Sequence, residues 1–157
     1  MTQGREIERK FLVSRLPEDR GPGIPIAQGY LPLASDDTEL RVRRKGDATV
    51  LTVKRGSGLD RGEDEVAIST ETFDALWPLT EGRRIEKTRH EIPHAGATIE
   101  LDQFGGKLDG LLLAEVEFET REASEAFEPP DWLGREVTDD GGYGNRRLAE
   151  HGLPPSD

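Results

Sequence analysis

The chain has 157 residues, 33% of them hydrophobic, with 21 Lys and Arg against 32 Asp and Glu, a formal charge of −11 at pH 7. That is one domain's length with enough apolar residues for a thin core, and residues 1–157 read as a single domain. The absence of cysteine excludes disulfides, zinc-thiolate sites and cysteine nucleophiles. The acidic balance argues against a general nucleic-acid binder, which needs positive surface to displace counterions. No apolar run approaches the ~20 residues of a membrane span, and Met1–Glu6 has no apolar signal core. A cytoplasmic protein with no membrane partner is the expectation.

In chain order, the first run at strand spacing is 6–13, where Glu6, Glu8 and Lys10 alternate with Ile7 and Phe11. A Pro/Gly loop over 17–25 follows, then strands at 27–33, 38–45 and 49–55. In these, Arg41 and Arg43 alternate with Leu40 and Val42, and Lys54 follows Leu51 and Val53. A loop over 56–62 precedes a strand at 63–69 that carries Glu63 and Glu65. Ser69 or Thr70 caps a helix to about Leu79, with Phe73, Leu76 and Trp77 on one face. Three more strands follow: 83–92 with Lys87 and Arg89, 97–104 with Glu100 and Asp102, and 111–119 with Glu115 and Glu117. Ser124 is placed to cap a short helix. A loop spans 140–144, and Asn145–His151 is the last helix, burying Leu148 and Ala149 and stopping at Gly152. His90, His94 and His151 read as surface residues. Eight strands and few helices point to a closed antiparallel sheet, because closure removes open edges.

Side chains at i and i+2 on a strand share one face, about 7 Å apart. Six of these strands carry a like-charge doublet at that spacing: Glu6/Glu8, Arg41/Arg43, Glu63/Glu65, Lys87/Arg89, Glu100/Asp102 and Glu115/Glu117. A solvated face prefers mixed signs, since like neighbours repel. A site for polyphosphate and metal wants the separation seen here. Paired carboxylates hold a hard cation, and paired bases clamp phosphate oxygens. If the charged face is the inner one, it must line a wet cavity that binds something highly charged, because dry burial of so many charges is too costly. Periodicity alone does not say which face is inner.

The opening Glu6-Ile7-Glu8-Arg9-Lys10 resembles the ExExK signature of the CYTH superfamily, the triphosphate tunnel metalloenzymes. Gln28-Gly29-Tyr30-Leu31, Leu40-Arg41-Val42-Arg43, Leu51-Thr52-Val53-Lys54, Ile85-Glu86-Lys87-Thr88-Arg89, Glu100-Leu101-Asp102 and Glu115-Val116-Glu117 follow in the family's order. So does a tail from Glu136 to Tyr143, Asn145, Leu148 and Ala149.

The resemblance implies a mainly β (α+β) fold: an eight-stranded closed antiparallel tunnel with a charged interior and a few helices packed outside. It also implies a small-molecule triphosphate substrate and a requirement for Mg²⁺ or Mn²⁺. Glu6, Glu8, Glu115 and Glu117 resemble the metal carboxylates; Glu63, Glu65, Glu100 and Asp102 are candidates to hold metal, to orient bases, or both. Lys10, Arg41, Arg43, Lys54, Lys87 and Arg89 are the expected phosphate holders. Lys87, Tyr30 and Glu8 are the expected catalytic group, with Tyr30 and Lys87 as a polar pair that aids the attacking water or the leaving group. Arg146 and Arg147 are either solvated or close one mouth of the tunnel.

The small bacterial inorganic triphosphatases are the members this chain most resembles, so the expected reaction is tripolyphosphate to pyrophosphate and phosphate. Hydrolysis of thiamine triphosphate or nucleoside triphosphates, or cyclisation of ATP, are alternatives on the same fold. A non-catalytic polyphosphate-binding module is a further alternative. A monomer or homodimer is expected.

Overall fold

The computed structural model describes residues 7–32, 37–56 and 62–154. Glu6 lies outside the described residues. Nine strands form one antiparallel sheet: β1 (Ile7–Val13), β2 (Ile24–Tyr30), β3 (Thr38–Lys45), β4 (Ala48–Arg55), β5 (Gly62–Ala67), β6 (Arg84–His94), β7 (Ala97–Phe104), β8 (Leu112–Phe118) and β9 (Leu133–Glu136). Their order is β5-β4-β3-β2-β6-β7-β8-β1-β9. All eight expected strands are present. β2 starts earlier than expected, inside the Pro/Gly stretch. Pro25 is tolerated there because the side where its N–H is missing faces the turn beyond Lys45, where its carbonyl accepts from Gly46 N–H.

Two expectations are corrected. A ninth strand exists. Leu133-Gly134-Arg135-Glu136 shows no alternation to announce it, and pairing with β1 holds it. Among the described residues the sheet is also open rather than a closed eight-stranded barrel, because its end strands β5 and β9 do not pair. β5 is exposed from Glu63 onward and carries Glu63, Asp64 and Glu65, the charged kind of edge that resists further pairing. β9, of four residues, offers little ladder to close onto.

One face of the sheet is apolar. Phe11, Ile99, Leu101, Ala114, Val116 and Phe118 form its main cluster, covered by Trp132, Leu133 and Phe127. Beside it lies α2 (Arg121–Ala126), capped by Thr120, whose Oγ1 accepts from Ala123 N–H at 3.0 Å. Ser124, expected as the cap, is instead buried inside the helix. On the same face behind β3 and β4 sits α1 (Thr70–Leu76), capped by Ser69. It tightens into a 3-10 turn at Trp77–Thr80, since Pro78 cannot donate to the α ladder. The Arg44 and Arg84 guanidiniums lie over the Phe73 and Trp77 rings at 5.1 and 4.5 Å. His90, expected at the surface, is buried on this face, its Nδ1 3.0 Å from Gly21 O.

The 3-10 turn presses directly on Gly29, where an added Cβ would come within 2.6 Å of Thr80 Cβ. Gly29→Ala is therefore expected to cost about 1–3 kcal/mol through overpacking. Chemical denaturation reads this directly, and an unchanged midpoint would show that the turn moves away freely.

The third helix, α3 (Asn145–His151), does not pack outside with the others. Its Leu148 and Ala149 join Tyr30, Ile85, Phe104, Leu113 and Val137 in a second cluster, and Tyr30, Ile85 and Leu113 belong to the other face of the sheet. Strands β2, β6, β7 and β8 thus share one small apolar plug, and the sheet wraps around it.

Candidate functional site

The strand registers decide which side chains share the second face. Arg41 pairs with Tyr30 and with Thr52, Arg43 with Gln28 and Val50, and Glu39 with Lys54. Lys54 in turn opposes Glu63, and Thr52 opposes Glu65. Across the other side of β2, Ile26 pairs with Lys87 and Ile24 with Arg89. Arg89 opposes Asp102, Glu100 opposes Glu115, Lys10 opposes Glu115, and Glu8 opposes Glu117. Directly paired residues point to the same side of a sheet. All the described charge doublets therefore share the face that α3 partly covers. Bases dominate β3, β4 and β6, and acids dominate β7, β8 and the start of β1.

Lys87 is fully buried, with Nζ 2.8 Å from Asp102 Oδ2 and 5.3 Å from the centre of the Phe104 ring. Its Nζ meets no acceptor at hydrogen-bonding angles, and burial pushes its pKa below the ordinary value in spite of Asp102. Arg89 grips the same carboxylate with two bonds, Nε to Oδ1 at 2.8 Å and Nη2 to Oδ2 at 2.9 Å. Its Nη1 lies 3.4 Å from Glu100. Burial pushes Asp102 up, but the bonds from Arg89 and the charges of Lys87 and Arg89 outweigh it and hold the carboxyl below the usual range. Arg43 is lowered by burial and by the positive charges of Arg41 and Arg89. Arg41 Nε is buried with no hydrogen-bond partner. Buried cations with unspent donors are what an anion site looks like before the anion arrives.

On the acidic side, Glu8 lies diagonally beside Glu115 on the β1–β8 ladder, two carboxyls that disfavour each other's ionisation. Glu8 is pushed up to about 7, first by loss of solvent, then by the neighbouring Glu115 carboxyl, with Lys10 opposing and Glu117 adding. Lys10 Nζ donates to Tyr143 O at 3.1 Å, tying this corner to the turn before α3. Among the described residues no three His, Asp or Glu side chains form a ready cage for a cation. What is present is an oxygen pair short of positive charge.

The structure bears on three expectations about single residues. Asp102, a candidate to hold metal, to orient bases, or both, spends both oxygens on Lys87 and Arg89. Tyr30 and Lys87 do not form a pair: Lys87 sits opposite Ile26, four residues down β2 from Tyr30, and turns to Asp102, whereas Tyr30 Oη accepts from Gln28 Nε2 at 2.8 Å. Glu63 and Glu65 face Lys54 and Thr52 on the edge strand, at the far end of the sheet order from Glu8.

Two polar residues, Glu39 and Gln28, escaped the reading of like-charge doublets, and Arg146 was expected either to be solvated or to close a mouth of the tunnel. Glu39 lies 3.9 Å from Lys54 and 3.8 Å from Arg146, which draws α3 to β3. Its parity with Arg41 was visible, but its opposite sign hid it. Gln28 carries no charge to flag it. Arg146 reaches the charged face only because α3 does.

The CYTH domain family model matches residues 4–144. The chain is 48% identical over 146 residues to an inorganic triphosphatase of Nitrosomonas europaea, covering 92% of this chain and 96% of that one. It is 40% identical over 151 residues to an inorganic triphosphatase of Acetivibrio thermocellus, covering 94% and 95%. A crystal structure of an inorganic triphosphatase superposes with a TM-score of 0.80 at 45% identity, over 93% of this chain and 95% of that chain.

Proposed function

The chain belongs to the CYTH family, and from that premise we propose that it hydrolyses inorganic triphosphate to pyrophosphate and phosphate with the help of a divalent cation. The observation that carries this reading is the one-sided register: bases on β3, β4 and β6 face the same space as carboxylates on β7, β8 and β1. Arg41, Arg43, Lys54, Lys87, Arg89 and Lys10 hold the phosphate oxygens, Arg by its fork and Lys as a point charge. Water attacks a terminal phosphorus, the bridging P–O bond breaks, and pyrophosphate leaves. The chain's part is to hold the groups in line and to neutralise charge as it shifts.

The carboxylate pair fits a hard cation. Glu8 is pushed toward its protonated form beside Glu115, a proton that a cation would displace, and Mg²⁺ or Mn²⁺ accepts carboxylate oxygens beside water and phosphate. Glu8, Glu115 and Glu117 would hold it, with Glu6 as a further ligand. When bound it would supply charge neutralisation and a more acidic water. Asp102 and Glu100 serve by orienting Arg89 and Lys87.

Nucleoside or thiamine triphosphates need a surface for an organic ring. Among the described residues, Phe11, Phe73, Phe104, Phe118 and Trp132 are buried in the cores and Tyr30 is 3% exposed, and Tyr143 is partly buried against the second cluster, which leaves little ring surface beside the bases. Among the described residues no helix is long and apolar enough to cross a membrane.

Phosphate release from tripolyphosphate, ATP and thiamine triphosphate, each with Mg²⁺ and with Mn²⁺, tests the proposal. Turnover that depends on the cation and is fastest on tripolyphosphate is expected. Tight tripolyphosphate binding with no turnover would assign a binding module instead, and faster turnover of an organic triphosphate would replace the substrate.

A further inference from the structure

We infer that Gln28 is a positioning residue that makes the Tyr30 hydroxyl a hydrogen-bond donor to the phosphate chain, an inference that rests on the triphosphatase reading above. Gln28 is fully buried, and both ends of its amide are committed. Its Oε1 accepts from Arg43 Nε at 2.7 Å, and its Nε2 donates to Tyr30 Oη at 2.8 Å. The amide cannot be turned over, because a guanidinium has no acceptor to offer its NH₂. The direction of the second bond follows: the phenol oxygen accepts, so its own hydrogen must go elsewhere.

Arg41, the register partner of Tyr30, brings its positive charge beside the same hydroxyl, and arginine, which can only donate, offers the hydroxyl hydrogen no acceptor. The oxygen already accepts from Gln28, so the hydroxyl hydrogen points away from that amide. The space left to it is the one that Arg41 and Arg43 border, where the phosphate oxygens are proposed to sit. Burial raises Tyr30 above its ordinary pKa, so the hydrogen stays on the oxygen at neutral pH. The same amide fixes Arg43 by Nε and leaves its two terminal nitrogens for a ligand. One uncharged side chain thus aims two donors, and it does so without weakening the positive charge of the wall.

Gln28→Glu is nearly isosteric and reverses one of the two bonds. A carboxylate still accepts from Arg43, but it takes the Tyr30 hydrogen for itself. Measured with tripolyphosphate and Mg²⁺, Gln28→Glu is expected to lower kcat by about 10–100-fold, the worth of one hydrogen bond to a charged group. Tyr30→Phe should lower it by a similar factor, and the double variant should be no slower than Tyr30→Phe alone. Losses that multiply in the double variant, or wild-type kcat in Gln28→Glu, would overturn the inference. If Gln28→Glu does not fold, Gln28→Leu takes its place in the cycle with the same criterion.

A readout without turnover separates this from the function itself. In a Tyr143→Phe background Tyr30 is the one tyrosine left, since the chain has two. Its ¹³Cζ resonance is expected to move when tripolyphosphate is added without metal, and to stay in place in Gln28→Glu at saturating tripolyphosphate. An equal movement in Gln28→Glu would overturn the role of Gln28. No movement in either, together with no hydrolysis by the wild type, would overturn the triphosphatase reading.

Discussion

Asp102→Asn should be the most damaging single substitution in this protein. Asp102 is 2% exposed and holds Lys87 and Arg89 through contacts of 2.8 to 2.9 Å. Asparagine keeps the shape and removes the charge, which leaves two buried cations facing each other. Breaking a buried ion pair from one side costs about 3–5 kcal/mol. At about 2–4 °C per kcal/mol for a chain of this size, the melting temperature falls by about 6–20 °C. Lys87, already held low by burial, would give up its proton more readily, and turnover would fall with it. Sulfate or tripolyphosphate should recover more melting temperature in the variant than in the wild type, because the anion supplies the missing charge. The acid limb changes too. Asp102 titrates below the usual carboxylate range, so its stabilisation is present above the unfolded pKa and is lost as pH falls through the folded value; the variant lacks that loss. An unchanged melt together with a lost cation requirement would instead make Asp102 a metal ligand.

Glu8→Gln should separate function from folding in the opposite sense. Glu8 titrates at about 7 in the folded chain against 4.5 as a free side chain, so the folded state binds its proton more tightly than the unfolded state does. Between those two values the folded state carries the extra proton, and stability falls as pH rises through the window. The metal-free wild type should therefore lose stability from about pH 5 to pH 8. Glu8→Gln should flatten that slope and melt at or above the wild type at pH 8. Added Mg²⁺ should raise the wild type's melt and leave the variant's in place. Cation-dependent turnover should fall by at least about 100-fold, since even partners outside a metal's ligands cost about 10–100-fold when removed. A collapse of the melt with normal activity per folded molecule would sink the metal role of Glu8.

Much of this was legible in the chain. Short runs at strand spacing announced the eight strands from β1 to β8, although alternation is poor in β6, and like-signed doublets marked one charged face before any register was known. Periodicity could not decide between closure and openness, because that depends on whether β5 and β9 meet, and β9 has too few residues and no alternation to register. Nor could it say that α3 packs on the charged face: Leu148 and Ala149 mark a buried side without saying what it is buried against. Within the site, charge was the visible signal, so Gln28 was passed over although it is more deeply buried than any of the bases. The pairing of Asp102 with Lys87 and Arg89 was hidden for a related reason. A carboxylate that neutralises bases and one that awaits a cation look alike until their neighbours are placed.

The place of β1 in the sheet bears on how the protein is made. Strand β1, which precedes the other eight, has β8 and β9 as its neighbours, both more than ninety residues later in the chain. A nascent chain that ends after β7 can build the wall of bases but has nothing to hold Glu8 in place. Such late, distant pairings favour slow folding. They also make competence to bind the cation one of the last properties the chain acquires, so recovery of that binding during refolding reports completion of the whole sheet.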